Sequence, residues 1–200
     1  MSCCRFRGLL LSVGFALLAC ASVAGVDGAD GIDLHRFDWN RAQLPGSVCG
    51  ADHSIELHSG YATFDSPRWP ALSPIEAARG SVVYGDLNGG GEDAAALQIV
   101  CVNLGGTAAG QLAFAVVVYS AGLRAPTELG VLTPRLRSGR NHVPILTPDR
   151  ITRDRVVVSE LYYGPRDADC CPTGRATTVW LFKAGTFRPA PTVVQRKPDR

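Results

Sequence analysis

The chain has 200 residues, 20 of them basic and 18 acidic, for a formal charge of +2, and 46% of the residues are hydrophobic. A balance this close to neutral excludes the strongly basic footprint of a nucleic-acid binder. The length allows one domain with a sizeable core rather than two.

In chain order, Arg5 and Arg7 precede an apolar run at residues 9–18 that is too short to span a bilayer, so residues 1–24 read as a secretory signal peptide. Leu17-Leu18-Ala19-Cys20 resembles a bacterial lipobox, in which Cys20 becomes the lipidated first residue. Ala19-Cys20-Ala21 and Ser22-Val23-Ala24 offer ordinary cleavage sites instead. Residues 1–24 hold two arginines and no acids, so the mature chain is formally neutral. A single exported β domain is expected over residues 25–190, with a frayed charged tail at 191–200.

Short runs of alternating or β-branched apolar residues, punctuated by Gly and Pro, predict strands at 54–57, 61–64, 81–84, 94–102, 112–119, 127–132, 156–163 and 177–182, with a short return at 186–188. The 94–102 and 112–119 runs are apolar enough to be central, with the more polar regions around Thr127 and Arg150 at the edges. Residues 105–110, all Gly, Ala or Thr, read as a loop between them. Ser73-Pro74 can start a helix that ends by Gly80, with Ser capping and Pro at the first helical position. Lys183-Ala184-Gly185-Thr186 reads as a tight hairpin. The fold expected is mainly β, an antiparallel meander forming a sandwich or blade-like sheets, with at most one short helix.

Of the seven cysteines, Cys3, Cys4 and Cys20 fall in the signal region. Cys49, Cys101, Cys170 and Cys171 form an even set that an oxidising compartment pairs. Three connectivities exist, and the expected pairing is either of the two that tie one of the neighbours Cys170 and Cys171 to Cys101 and the other to Cys49, since bridging neighbours is strained. The Cys170-Cys171 pair lacks the Cys-x-x-Cys spacing of thioredoxin-like proteins, which favours structural bridging over a redox switch.

The stretch from Asp86 to Asp93, Asp-Leu-Asn-Gly-Gly-Gly-Glu-Asp, lies between apolar runs and resembles the calcium loop of integrin-type FG-GAP repeats, whose pattern is Asp-x-Asn-x-Asp-Gly-x-x-Asp. Asp86 and Asn88 match its first and third positions, whereas Gly90 and Ala94 replace two carboxylates. The resemblance implies at most weak calcium binding, through Asp86, Asn88 and Asp93 with backbone carbonyls. The residue pattern alone reads as a glycine-rich turn capped by Asp86 and Asn88.

A second resemblance runs from about Ile32 to Pro189, to a family of exported bacterial domains with no established activity. It rests on Ile32-Asp33-Leu34, Leu44-Pro45-Gly46 with Cys49, Tyr84-Gly85-Asp86-Leu87, Cys170-Cys171-Pro172-Thr173, and a strand through Trp180 into Gly185-Thr186-Phe187. Members usually keep an Asp where this chain has Gly90.

Catalytic signatures are sparse. His35, His53, His58 and His142 fall in no zinc spacing, Glu56 and His58 read as a solvated pair on one strand face, and no serine stands in a Gly-x-Ser-x-Gly elbow. Arginines thicken at Arg135, Arg137 and Arg140 and at Arg150, Arg153 and Arg155, which reads as a solvated face. Trp39, Trp69, Tyr162, Tyr163, Trp180 and Phe187 suffice to line a carbohydrate or peptide surface if they point outward, although core packing is the commoner fate.

The expectation is therefore a non-catalytic module outside the cytoplasm, without a cofactor beyond weak calcium. Its partner would be an envelope component or a protein, and membrane contact would come only through a lipid on Cys20. The alternative is an extracellular hydrolase that uses Asp86, Glu92 or Asp93 as acids.

Overall fold

The structure, a computed structural model, describes residues 31–104, 110–139 and 142–198. Residues 1–24, where a signal peptide and the lipidation of Cys20 are expected, most of the 105–110 loop, and Arg140 lie outside them.

The long apolar runs become strands because one sheet is covered on both faces. Strands β1 (Gln43–Leu44), β2 (Ile55–Glu56), β3 (Tyr61–Phe64), β4 (Ile75–Asp86), β5 (Asp93–Asn103), β6 (Gln111–Ser120) and β7 (Thr127–Leu132) make up the first part of the chain. β3 to β7 pair in sequence order as an antiparallel meander, with β5 at its centre, and β1 pairs with β2 in a separate ribbon. Along β5 the odd positions Ala95, Leu97, Ile99 and Cys101 join a core with Leu34, Trp39, Leu44 and Leu57 of the N-terminal segment. The even positions Ala94 and Ala96 join a second core with Leu146, Ile151, Val156 and Trp180. Period-two alternation sends neighbours to opposite faces, so a strand with an apolar cover on each side reads as a nearly continuous apolar run.

The second sheet contains β8 (Ile145–Thr152), β9 (Arg155–Tyr162), β10 (Gly174–Lys183) and β11 (Thr186–Pro189), in the order β11-β10-β9-β8, and β12 (Val193–Arg196) also pairs with β10. The protein is mainly β, with antiparallel sheets, and among the described residues no closed barrel forms. Its layers are the N-terminal segment, the central sheet and the second sheet. Gly85 marks where two sheets touch: a Cβ there would meet the Ile151 carbonyl oxygen at 2.4 Å. Ala184 and Gly185 turn the β10–β11 hairpin with φ of 48° and 76°, as a two-residue hairpin loop requires.

Four expectations are corrected. Residues 75–80 form the first half of β4 and not a helix, because Ile75 and Ala77 alternate inward with Glu76 and Ala78 and pair with both β3 and β5. The local Ser-Pro start signal loses to this tertiary pairing, and the helical content among the described residues is three short 3-10 segments. The Arg150 region is an edge strand as expected, but as β8 of the second sheet, paired with β9 and not beside the central strands, whereas the Thr127 region is the edge strand β7 of the central sheet. The tail beyond Pro191 carries β12, held by Val193 opposite Thr177.

The fourth correction concerns the bridges. Cys49 pairs with Cys101, and Cys170 pairs with Cys171. Cys101 points from β5 toward the N-terminal layer, where the 3-10 segment Gly46–Cys49 places its partner with a Cα separation of 5.4 Å. Cys170 and Cys171 sit in the connection between β9 and β10, in the sheet on the opposite side of β5. Layers roughly 10 Å apart are too distant for the few ångströms that a disulfide spans. The two bridges fit an oxidising compartment. Among the described residues no helix is long and apolar enough to cross a membrane.

Candidate functional site

The Asp86–Asp93 stretch is the β4–β5 hairpin connection, and the two acids are Cα partners at its mouth. The Asp86 carboxylate folds back over the turn: Oδ1 accepts the Gly89 N–H at 2.5 Å and Oδ2 accepts the Gly91 N–H at 2.9 Å. Asn88 Oδ1 accepts the Gly90 N–H at 2.7 Å. These donors, Gly91 first, hold the Asp86 carboxyl below the usual aspartate range. Gly89 and Gly91 have φ of 76° and 85°, where glycine alone is unstrained.

The turn between β8 and β9 docks onto this connection. The Asp154 N–H donates to the Leu87 carbonyl at 2.7 Å, Leu87 is buried in the core between the sheets, and a Cβ on Gly89 would lie 2.5 Å from Arg153 Nε. The Asp86 and Asn88 oxygens that a calcium ion would need are thus turned onto N–H donors, with a guanidinium beside Gly89. Among the described residues no group of three or more His, Cys, Asp or Glu side chains is placed to share an ion.

Asp93 faces the other way. Its Oδ2 lies 2.8 Å from His35 Nε2, and the His35 ring stacks on Tyr84 with centroids 4.1 Å apart. Tyr84 Oη accepts the Trp39 indole N–H at 2.8 Å, and Asp33 Oδ1 accepts the His35 backbone N–H at 2.9 Å. The imidazole is therefore fixed on one face by a ring and at one nitrogen by a carboxylate. A cavity of about 310 Å³ opens beside this pair, lined also by Asp33, Glu92 and Ala121. Of the acids proposed from sequence, Glu92 and Asp93 thus share a concave site and Asp86 does not. His35 is the partner that sequence reasoning missed. It lies 58 positions from Asp93, and no local spacing signals the contact.

Two further hollows continue from this cavity over the N-terminal layer. One of about 700 Å³ shares Ile32 and Asp33 with it and adds Arg36, Phe37, Arg41 and Glu56. The next, about 250 Å³, shares Phe37, Arg41 and Glu56 and adds Trp39, Gln43 and Tyr119. Tyr119 Oη donates to the Gln43 carbonyl at 2.9 Å, and burial, with Glu128 nearby, pushes its phenol pKa upward. The result is a groove with an aromatic floor and charges of both signs on its rim.

The remaining candidates are placed as follows. Glu56 and His58 are both exposed, alternating with the buried Ile55 and Leu57, and Glu56 reaches the groove. His53 pairs with its neighbour Asp52 at 2.8 Å in solvent. Trp180, Tyr162 and Tyr163 are buried, and Arg68 lies over the Trp69 ring at 4.9 Å, so these aromatics form no common surface. Arg135 contributes its backbone N–H to the buried Glu160, described below.

The Cys170-Cys171 loop is closed at its neck by Asp167, whose oxygens accept the Gly164 N–H at 2.7 Å and the Thr173 N–H and hydroxyl at 2.8 Å each. His142 stacks on Tyr163 with centroids 4.3 Å apart and bonds Asp169 at 3.1 Å.

Comparisons with profiles of known families, with curated proteins and with solved structures find no match for this chain. Fold and site together define a three-layered, disulfide-stapled β domain with a polar cleft beside its central hairpin.

Proposed function

We propose that the protein is an exported bacterial domain acting as a non-catalytic binding module, and that the groove from His35 to Tyr119 holds an envelope component or a protein segment. The observation that carries this reading is the continuity of the three hollows, the middle one sharing Ile32 and Asp33 with the first and Phe37, Arg41 and Glu56 with the last. Concave sites with an apolar floor and a few placed polar groups are the usual form of ligand sites. The exposed Asp33, Arg36, Arg41 and Glu56 that line the groove would suit an extended, roughly neutral polymer carrying donors and acceptors, such as a peptide or a glycan strand. The two disulfides and the signal-like residues 1–24 support delivery outside the cytoplasm, with Cys20 the residue that a lipid would occupy.

The test is tryptophan fluorescence, with Trp39 in the groove, on titration with solubilised peptidoglycan fragments and with extended peptides. Saturable change that Arg41→Glu abolishes is the expected result. No change with either ligand class removes the reading. Mass spectrometry of the mature N-terminus decides separately between an acylated Cys20 and plain cleavage.

A hydrolase is the second reading, favoured by the His35–Asp93 pair in the cleft beside Glu92. His35 Nδ1 would take a proton from water, with Asp93 orienting the ring. The lining contains no Ser, Thr or Cys among the described residues, so a covalent route would need a carboxylate nucleophile. Release of product fragments from the same ligands, lost in His35→Ala, would favour this reading over binding alone.

A further inference from the structure

The bridge between Cys170 and Cys171 has no structural purpose that its position explains. A disulfide stabilises chiefly by closing a loop in the unfolded chain, and a bridge between sequence neighbours closes none. Nor does it hold the segment in place. Asp167 ties Gly164 to Thr173 across the neck, the Cys171 N–H donates to the Ala168 carbonyl at 2.9 Å, and Tyr163 Oη donates to the Asp169 carbonyl at 3.1 Å. None of these contacts involves sulfur. Both cysteines are nevertheless exposed, whereas Cys49 and Cys101 are 1% and 0% exposed.

We propose that Cys170–Cys171 is a thiol-exchange site, presented at the tip of a loop that keeps its shape in both redox states. An incoming thiolate attacks one exposed sulfur, forming a mixed disulfide and releasing the neighbouring cysteine as a thiolate. A second thiolate attacks the outer sulfur of the mixed disulfide. The net change is two thiols and the bridge converted to one external disulfide and two protein thiols, with two electrons moving from the external thiols to the protein. The reacting chemistry is the same for a small thiol and for a protein dithiol.

Access separates this bridge from the other. A thiolate reaches Cys170 and Cys171 from solvent, but reaches Cys49 and Cys101 only after the N-terminal layer lifts from β5.

The experiment incubates the folded mature protein with reduced glutathione in one arm and with a reduced thioredoxin-type dithiol domain in the other. New thiols are alkylated and located by peptide mass spectrometry, with melting temperature followed in parallel. The expected result in at least one arm is two labelled thiols per chain, both in the Cys170-Cys171 peptide, with Cys49 and Cys101 unlabelled and the melting transition retained. Reaction with glutathione identifies a small thiol as sufficient, and reaction in the dithiol arm alone identifies a protein source. Failure in both arms, or labelling only with loss of the melting transition, overturns the proposal. Cys171→Ser supplies a second readout, because its remaining exposed thiol should accumulate a one-to-one mixed disulfide with oxidised glutathione. A Cys171→Ser protein that stays unmodified also overturns the proposal.

Discussion

Asp86 and Asp93 are Cα partners across the β4–β5 hairpin, yet their carboxylates turn apart, Asp86 onto the Gly89 and Gly91 N–H groups and Asp93 onto His35 2.8 Å away. Like charges set opposite one another destabilise a strand pair. Here each finds its own partner, which divides the hairpin into a structural half and a half that faces the cleft.

Asp86→Ala should lower the melting temperature by several degrees at neutral pH, since it strips two N–H groups of their acceptor. The folded carboxyl titrates below its ordinary value, so its contribution is present above the unfolded pKa of about 3.9 and is lost as pH falls through the folded value. The gap between variant and wild type, followed by thermal melts, should therefore close in strong acid.

Calcium should leave the melting temperature unchanged at several millimolar, because binding would first have to take Asp86 from its N–H donors. Ligands that bind only the native state raise the melting temperature by mass action, so a dose-dependent rise would show that the turn opens to accept the ion.

Glu160 is 2% exposed and accepts the Arg135 and Leu136 backbone N–H groups at 3.1 and 2.7 Å. Glu160→Ala should cost on the order of 3 kcal/mol in urea unfolding by leaving both donors unsatisfied. Burial raises the carboxyl's pKa, so the folded state holds this proton more tightly than the unfolded chain does. Its contribution should favour the folded state in acid and decline as pH rises from the ordinary glutamate value, about 4.3, through the folded value. Glu160→Gln should lack this dependence.

Gly85→Ala should destabilise by about 1–3 kcal/mol, the usual range for overpacking, because its Cβ would strike the Ile151 carbonyl oxygen and Cβ. Chemical denaturation measures it.

Replacing Cys49 and Cys101 with Ser should cost on the order of 4 kcal/mol, the chain-entropy value for a loop of this length, 52 residues in separation. Replacing Cys170 and Cys171 should change stability little, since their bridge restrains no loop. Parallel urea titrations of the two double variants compare them directly.

Strands with apolar runs were legible from composition and period, and Tyr61–Phe64 and Thr127–Leu132 match residue for residue. β8 was not, because Pro148, Asp149 and Arg150 interrupt its pattern where the strand bulges against β9. The first half of β4 was misread because a Ser-Pro signal is local, whereas its pairing partners are supplied by β3 and β5. Within the candidate site, Asp86 and Asn88 were legible as turn caps, since they bond backbone within five residues. The His35–Asp93 contact and the grouping of Phe37, Arg41, Glu56 and Tyr119 arise from packing between distant segments, which no local pattern encodes.

The two-sided burial of β5 also changes what fixes its alignment. In a half-exposed strand, a slip by one residue is penalised because apolar groups land in water. With a core on each side, such a slip only trades one interior for the other, so hydrophobicity gives little resistance. The alignment rests instead on the capped Asp86–Asp93 turn, which sets the hairpin register, and on two point attachments on opposite faces, Cys101 bridged to Cys49 and Gln98 Nε2 donating to the Leu146 carbonyl. Loss of all three should leave a sheet that still collapses but samples more than one strand alignment, a defect visible as duplicated backbone resonances and invisible to circular dichroism.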